Sequence, residues 1–217
     1  GWVFSVTGNT SVTVDGDIAI DENNNPLFRG NDGWIHRFTS SNNVWQEQIV
    51  GGAGQATWKQ IAQGSKIIAK GGHIFYHTNS GQMMHYWWNG SGYSHEPTGN
   101  YGVNTNHFVS GDKTFDENMN VIYRAADGWI HRFYPNNGWK NEIVGGIGQD
   151  LTRRIASDSK IITNNGHIFY KSISGQMMHY WWNGSSYSHE KTGNYGAVPN
   201  DFVSGDMAFN ASGEVVY

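Results

Sequence analysis

The sequence predicts an all-β fold, a β-propeller of four-stranded antiparallel blades, and three observations carry that prediction. Gly16-Asp17 recurs at Gly111-Asp112 and again at Gly205-Asp206, at intervals of 95 and 94 residues. Each long repeat halves into two related units of roughly 47 residues, the length of one four-stranded blade. The composition of the 217 residues is rich in strand and turn formers, with 10 Trp, 11 Tyr and 29 Gly and only 15% charged residues. Aromatic side chains suit pleated strands, while Gly and Asn supply the positive φ of tight turns.

The repeats are close copies. Asp32-Gly-Trp-Ile-His-Arg-Phe38 returns unchanged from Asp127 to Phe133, and the stretch from Ser80 to Ser91 returns unchanged from Ser174 to Ser185. The segment from Pro26 to Phe38 parallels the segment from His73 to Tyr86, which defines the half-unit. Within the first unit, strands are expected at Ile18–Ile20, Leu27–Arg29, Trp34–Phe38 and Trp45–Val50. Asn-rich, Asp-Gly and Ser-Asn-Asn turns separate them and make one meander. A β-trefoil repeats in threes and a β-solenoid has shorter units, so neither fits a doubled unit of this length.

Blades are expected at 17–63, 64–110, 112–157 and 158–204, all within one domain spanning 1–217. Gly1–Gly8 aligns with the fourth-strand segment Gly92–Gly99, and Gly205–Tyr217 aligns with the first two strands. A fifth blade is therefore expected from 1–15 plus 205–217, closing the ring and removing exposed edges. That blade lacks the strand equivalent to Trp129–Phe133. A cut chain, a fragment of a larger ring, or a homo-oligomer supplying the strand would each explain the gap.

Charge and composition exclude several function classes. With 14 Lys and Arg against 18 Asp and Glu, the chain has no basic footprint for nucleic acid. No apolar run is long enough for a membrane-spanning helix, so no membrane insertion is expected, and the opening Gly1-Trp2-Val3-Phe4 reads as a mature chain or fragment. The absence of cysteine removes disulfide frameworks and thiolate metal sites.

The candidate site residues are aromatic and polar side chains at matched places in the repeats. In the odd units they are Trp34, His36 and Arg37, with copies Trp129, His131 and Arg132. In the even units they are His85, Trp88, Tyr93 and Glu96, with copies His179, Trp182, Tyr187 and Glu190. Indole and phenol rings offer flat apolar faces to the C–H faces of a pyranose, and Arg, His and Glu bond its hydroxyls. The plainer reading is packing, since buried aromatics fill the space between blades and buried His is usually a satisfied hydrogen-bonder. Trp87 and Trp88 are adjacent in a strand and point to opposite faces, so both cannot fill one packing slot.

A calcium loop is the one metal reading with any pattern behind it, from Asp21 to Asn25 with Asp32 at its end. The place where such a loop turns sharply on Gly holds Pro26, or Val121 in the second copy, so no metal and no cofactor are expected. No phosphate loop, nucleophile elbow or His-Glu-x-x-His motif is present. Repeat-equivalent carboxylates such as Glu96 and Glu190 lie in different blades rather than across one bond, so an enzyme is not expected. Near-identical repeats make equivalent shallow sites that gain by avidity.

The pattern repeated in Gly72–Tyr93 and Gly166–Tyr187, with its Trp-Asn-Gly-Ser-x-Tyr turn, resembles the bacterial and fungal lectin-like β-propellers. The likeness is one of unit length and aromatic turn–strand pattern, shared with the tachylectin-like and fucose-lectin-like groups. It implies a secreted or cell-surface protein with several carbohydrate sites between adjacent blades or at one rim. Two site classes are expected, one at Trp34, His36 and Arg37, the other at His85, Trp88, Tyr93 and Glu96, each with its copy. The competing expectation is a structural or protein-binding propeller, a piece of a larger surface adhesin.

Overall fold

Short apolar and aromatic runs punctuated by Gly, Asn and Asp fold here into successive antiparallel meanders. The computed structural model describes residues 12–42, 44–52, 54–97, 105–136, 138–146, 148–191 and 203–217. The chain divides into two compact units, Gly1–Thr98 and Gly99–Tyr217.

The first unit holds two four-stranded sheets. Strands β1 (Val14–Ile20), β2 (Pro26–Gly30), β3 (Ile35–Ser41) and β4 (Val44–Ile49) pair in chain order, as do β5 (Ile68–Lys70), β6 (His73–His77), β7 (Met83–Trp88) and β8 (Tyr93–Pro97). The four expected strands of the first meander are all present, with β1 starting earlier. Its extension passes a register shift between Val14 and Ile18, where Gly16 takes φ +140°. Trp34 falls just before β3, because its carbonyl closes a turn on the Gly30 N–H.

The β1–β2 loop is built by Asp21. Its Oδ1 accepts the N–H groups of Asn23 and Asn25 at 2.9 and 2.8 Å, and Asn24 supplies the left-handed residue at φ +60°. Asp116 and Asn210 organise the same loop in the later copies. Oδ1 of Asp21 in the candidate calcium loop thus faces its own backbone, and among the described residues no three His, Cys, Asp or Glu side chains are grouped to hold a metal.

Leu27, Ile35 and Val50 of the first sheet pack against Ile74, Tyr76, Met84 and Tyr86 of the second. Ile61 and Ile67, from the connection between the sheets, complete this core. The connection is also pinned by polar groups: Asp17 accepts the Ile67 N–H at 2.8 Å, and Arg29 Nε donates to the Ile61 carbonyl at 3.0 Å. Removing one core side chain such as Leu27 or Ile35 would cost about 2–5 kcal/mol, since close-packed neighbours refill only part of the cavity.

The second unit repeats this plan. Its sheets are β9 (Val109–Phe115), β10 (Val121–Ala125), β11 (Ile130–Pro135) and β12 (Trp139–Ile143), then β13 (Ile161–Asn164), β14 (His167–Lys171), β15 (Met177–Trp182) and β16 (Tyr187–Lys191). Ile122, Ile130 and Val144 pack against Ile168, Tyr170, Met178 and Tyr180. A two-stranded sheet, β17 (Ala208–Phe209) with β18 (Val215–Val216), follows. Met207 and Val203 there pack against Met177. The Gly1–Gly8 segment expected to join it lies outside the described residues.

No helix among the described residues is long and apolar enough to cross a membrane.

Candidate functional site

Each unit carries a cleft at the rim between its two sheets. In the first unit it measures about 350 Å³ and is lined by Asp21, Glu22 and Arg37 on one side and by the Gly71-Gly72 turn, Trp88 and Tyr93 on the other. In the second it measures about 370 Å³, with Asp116, Glu117 and Arg132 facing Gly166, Trp182 and Tyr187.

Strand alternation explains why these side chains meet. Leu27 and Arg37 are cross-strand partners, and Leu27 is in the core between the sheets, so Arg37 continues that face to its rim. On β7, Met84, Tyr86 and Trp88 share one face; the first two are core and Trp88 emerges from it 46% exposed. Trp182 in the copy is 45% exposed. The Trp88-Tyr93 pair bridges the β7–β8 turn, where Asn89 accepts the N–H groups of Ser91 and Gly92 at 3.0 Å. The two rings meet edge to face at 5.3 Å and 72°, and Trp182 with Tyr187 at 5.2 Å and 68°. Nearly half of each tryptophan is left to solvent, although burying it would be favourable.

Arg37 is held in place by two partners. Its Nε donates to Asp21 Oδ2 at 3.0 Å, its Nη2 lies 2.7 Å from the same oxygen as an ion pair, and its Nη1 donates to the Tyr93 hydroxyl at 3.0 Å. Burial raises the Asp21 pKa, but the Asn25 hydrogen bonds and the Arg37 charge outweigh it and hold the carboxyl below its ordinary value. Burial raises the Tyr93 and Tyr187 hydroxyls above theirs, so both stay protonated donors at neutral pH.

The second cleft differs at its arginine. Arg132 Nη1 donates to Tyr187 at 3.0 Å, but Nη2 donates to Glu142 at 2.5 Å and Nε is buried without a partner among the described residues. The guanidinium lies over the rings of Tyr134, Trp182 and Tyr187. Asp116 is bonded by Asn120 instead, and burial, the larger effect, raises its pKa above the ordinary value.

Of the fourteen candidate residues, the clefts gather Arg37, Trp88 and Tyr93 in one unit and Arg132, Trp182 and Tyr187 in the other. One member of the odd class and two of the even class thus share each cleft. The remaining eight lie away from it. Trp34 is 9% exposed and packs on Gly52, and Trp129 packs likewise on Gly146. His36 is fully buried, with Nε2 bonded to Asp32 at 3.0 Å and Glu47 2.7 Å from Nδ1 without the alignment of a hydrogen bond. His131 is equally buried, 3.1 Å from Asp127.

His85 lies on the other face of β7, stacked on Phe75 and Trp87, with Nδ1 bonded to Glu96 and Nε2 to His73 at 2.7 Å. Burial first, then the neighbouring His73, push the His85 pKa down to about 3. His179 repeats the arrangement with Phe169, Glu190 and His167.

Sequence reasoning missed Asp21, Glu22 and the Gly71-Gly72 turn as cleft residues. The signal was available for Asp21, whose loop was read for a metal rather than for an arginine.

No family model and no curated protein matches the sequence. Solved structures do match its fold. The extracellular domain of the putative hybrid two-component system BT3049 from B. thetaiotaomicron aligns with a TM-score of 0.56 at 10% identity, over 94% of this chain and 30% of that one. The SapL1 lectin in complex with α-methyl fucoside aligns at 0.51 and 14% identity, over 82% and 63%. The Aleuria aurantia lectin, a fungal six-bladed β-propeller, aligns at 0.50 and 14% identity, over 83% and 63%. The chain has the β-propeller fold of these lectins. Its four-stranded sheets are propeller blades, and each cleft lies between the paired blades of one unit. The chain spans 63% of the length of the two lectins.

Proposed function

We propose that this β-propeller is a multivalent carbohydrate-binding protein of the secreted or cell-surface kind, with one ligand in the cleft of each unit and no catalytic role. The carrying observation is the half-exposed indole of Trp88, repeated at Trp182, standing beside an arginine that is already held by a carboxylate and a tyrosine hydroxyl. An aromatic platform takes the apolar face of a sugar while charged donors and acceptors fixed beside it bond the hydroxyls. Holding these groups before the ligand arrives spares the entropy of ordering them. The lectins that share the fold support the reading. Paired repeats give two clefts of one plan, as avidity requires.

Glycan-array screening followed by calorimetry with the positive glycans, α-methyl fucoside included among the probes, tests it. The expected result is binding at millimolar affinity or better with two sites per chain. Trp88→Ala and Trp182→Ala should each remove one site. Absence of binding across the array, or both variants binding like the parent, overturns the proposal.

A further inference from the structure

The two clefts share one plan, yet their arginines bond different carboxylates, and their neighbours one strand away differ as well. Arg37 on β3 pairs across the sheet with Gln48 on β4, and Arg132 on β11 pairs with Glu142 on β12. The β3–β4 hairpin is one residue longer than its copy, so Trp45-Gln-Glu-Gln48 corresponds to Trp139-Lys-Asn-Glu142. Where the partner is the neutral Gln48, the guanidinium turns to Asp21. Where it is the acidic Glu142, the guanidinium turns to that residue.

The exchange changes the charge of the site. Arg37 stands with two lining carboxylates, Asp21 and Glu22, whereas Arg132 has the equivalent pair, Asp116 and Glu117, in the lining and a third, Glu142, bonded to its guanidinium from outside the lining. Each cleft also has one histidine at its rim, His73 or His167. A cleft with the larger acidic excess stabilises a cation, and screening is incomplete in a partly buried site.

We propose that the residue at position 48 in the first unit and 142 in the second is the specificity determinant of its cleft: it selects the carboxylate that the arginine serves, and Glu142 makes the second cleft prefer sugars bearing an ammonium group. This rests on the carbohydrate reading and goes beyond it to ligand class. Gln48 and Glu142 act through the arginine as positioning residues.

Two measurements test it. Carbon-detected NMR titration of the aspartate carboxyls reads the arginine's partner without any ligand. Asp116 should titrate above Asp21 in the parent; Glu142→Gln should bring Asp116 down toward Asp21, and Gln48→Glu should raise Asp21. Gln stands naturally at the equivalent place, so Glu142→Gln is compatible with the fold. Titrations unmoved in both variants overturn the switch.

Calorimetry then compares methyl α-glucosaminide, protonated at pH 6, with methyl α-glucoside in Trp88→Ala, which keeps the second cleft, and in Trp182→Ala, which keeps the first. The amine-to-neutral affinity ratio should be roughly fivefold higher in the second cleft, the size of one partly exposed ion pair, and Glu142→Gln should abolish the difference. Equal ratios overturn the ligand preference while leaving the carbohydrate reading intact. Failure of both glycosides, together with an empty glycan array, removes the carbohydrate reading itself, and the titration result then stands alone.

Discussion

Arg37 donates from Nη1 to the Tyr93 hydroxyl at 3.0 Å, and Arg132 donates to Tyr187 at the same distance in the second unit. The two residues come from different blades of one unit, so the bond ties the blades together at the rim of the cleft. It also orients the guanidinium toward its carboxylate.

Replacing that acceptor gives the first prediction. Tyr93→Phe leaves a half-buried Nη1 without its partner while keeping the ring against Trp88. The expected loss of stability is about 1 kcal/mol, the size of a hydrogen bond to a charged group after water takes part of the role. Urea unfolding measures it, and the affinity of the first cleft should fall with it. Tyr187→Phe should behave alike in the second cleft.

The second prediction concerns the glycines that follow the first blade of each unit. A Cβ on Gly51 would lie 2.7 Å from the Tyr86 hydroxyl, and one on Gly145 the same distance from Tyr180. Neither ring can retreat, since Tyr86 is fully buried and bonded to Gln55 at 2.6 Å, and Tyr180 is equally buried. Gly51→Ala and Gly145→Ala should each cost roughly 1–3 kcal/mol by overpacking. A thermal melt within error of the parent would contradict the packing.

These positions show what could be read from sequence and what could not. The blades were legible, because the turn residues and the strand period repeat four times and each copy reinforces the others. Adjacency showed that Trp87 and Trp88 face opposite ways, since neighbours in a strand do, but not which of the two reaches the cleft. The composition of the cleft was not. Arg37 and Trp88 stand 51 positions apart and meet because β3 and β7 each present alternate residues to one shared core, a fact of sheet packing that no single strand records. His36 and His85 look as functional as Arg37 in sequence. Their burial is decided by the face they occupy.

His85 supplies a pH prediction. Its folded pKa is depressed to about 3 from 6.5, so between these values the unfolded chain holds a proton that the folded chain does not. Stability therefore falls as pH drops below about 6.5, by up to one proton's linkage from this residue, and the contribution is complete above that value. His85→Phe, which keeps the ring stack with Phe75, should flatten this part of the profile. Denaturant midpoints collected from pH 7 to pH 4 would show it, and identical slopes in parent and variant would refute it.

The last prediction sets Asp21 against Asp116, the same loop residue in two copies with opposite shifts. For Asp21 the pKa is lowered in the fold, so its carboxylate contributes stability above the ordinary value of 3.8 and loses it as pH falls through the lower folded value. For Asp116 burial raises the folded pKa, so the folded chain holds a proton that the unfolded chain has released, and stability falls as pH rises through that window. Both side chains organise their loops through Oδ1, which Asn would retain. Asp21→Asn also discards the charge that Arg37 needs, at a cost of roughly 1–3 kcal/mol at pH 7, whereas Asp116→Asn removes a charge that burial disfavours and should cost less. Urea unfolding of the two variants at pH 7 decides the order, and a costlier Asp116→Asn would mean that Arg132 serves Asp116 rather than Glu142.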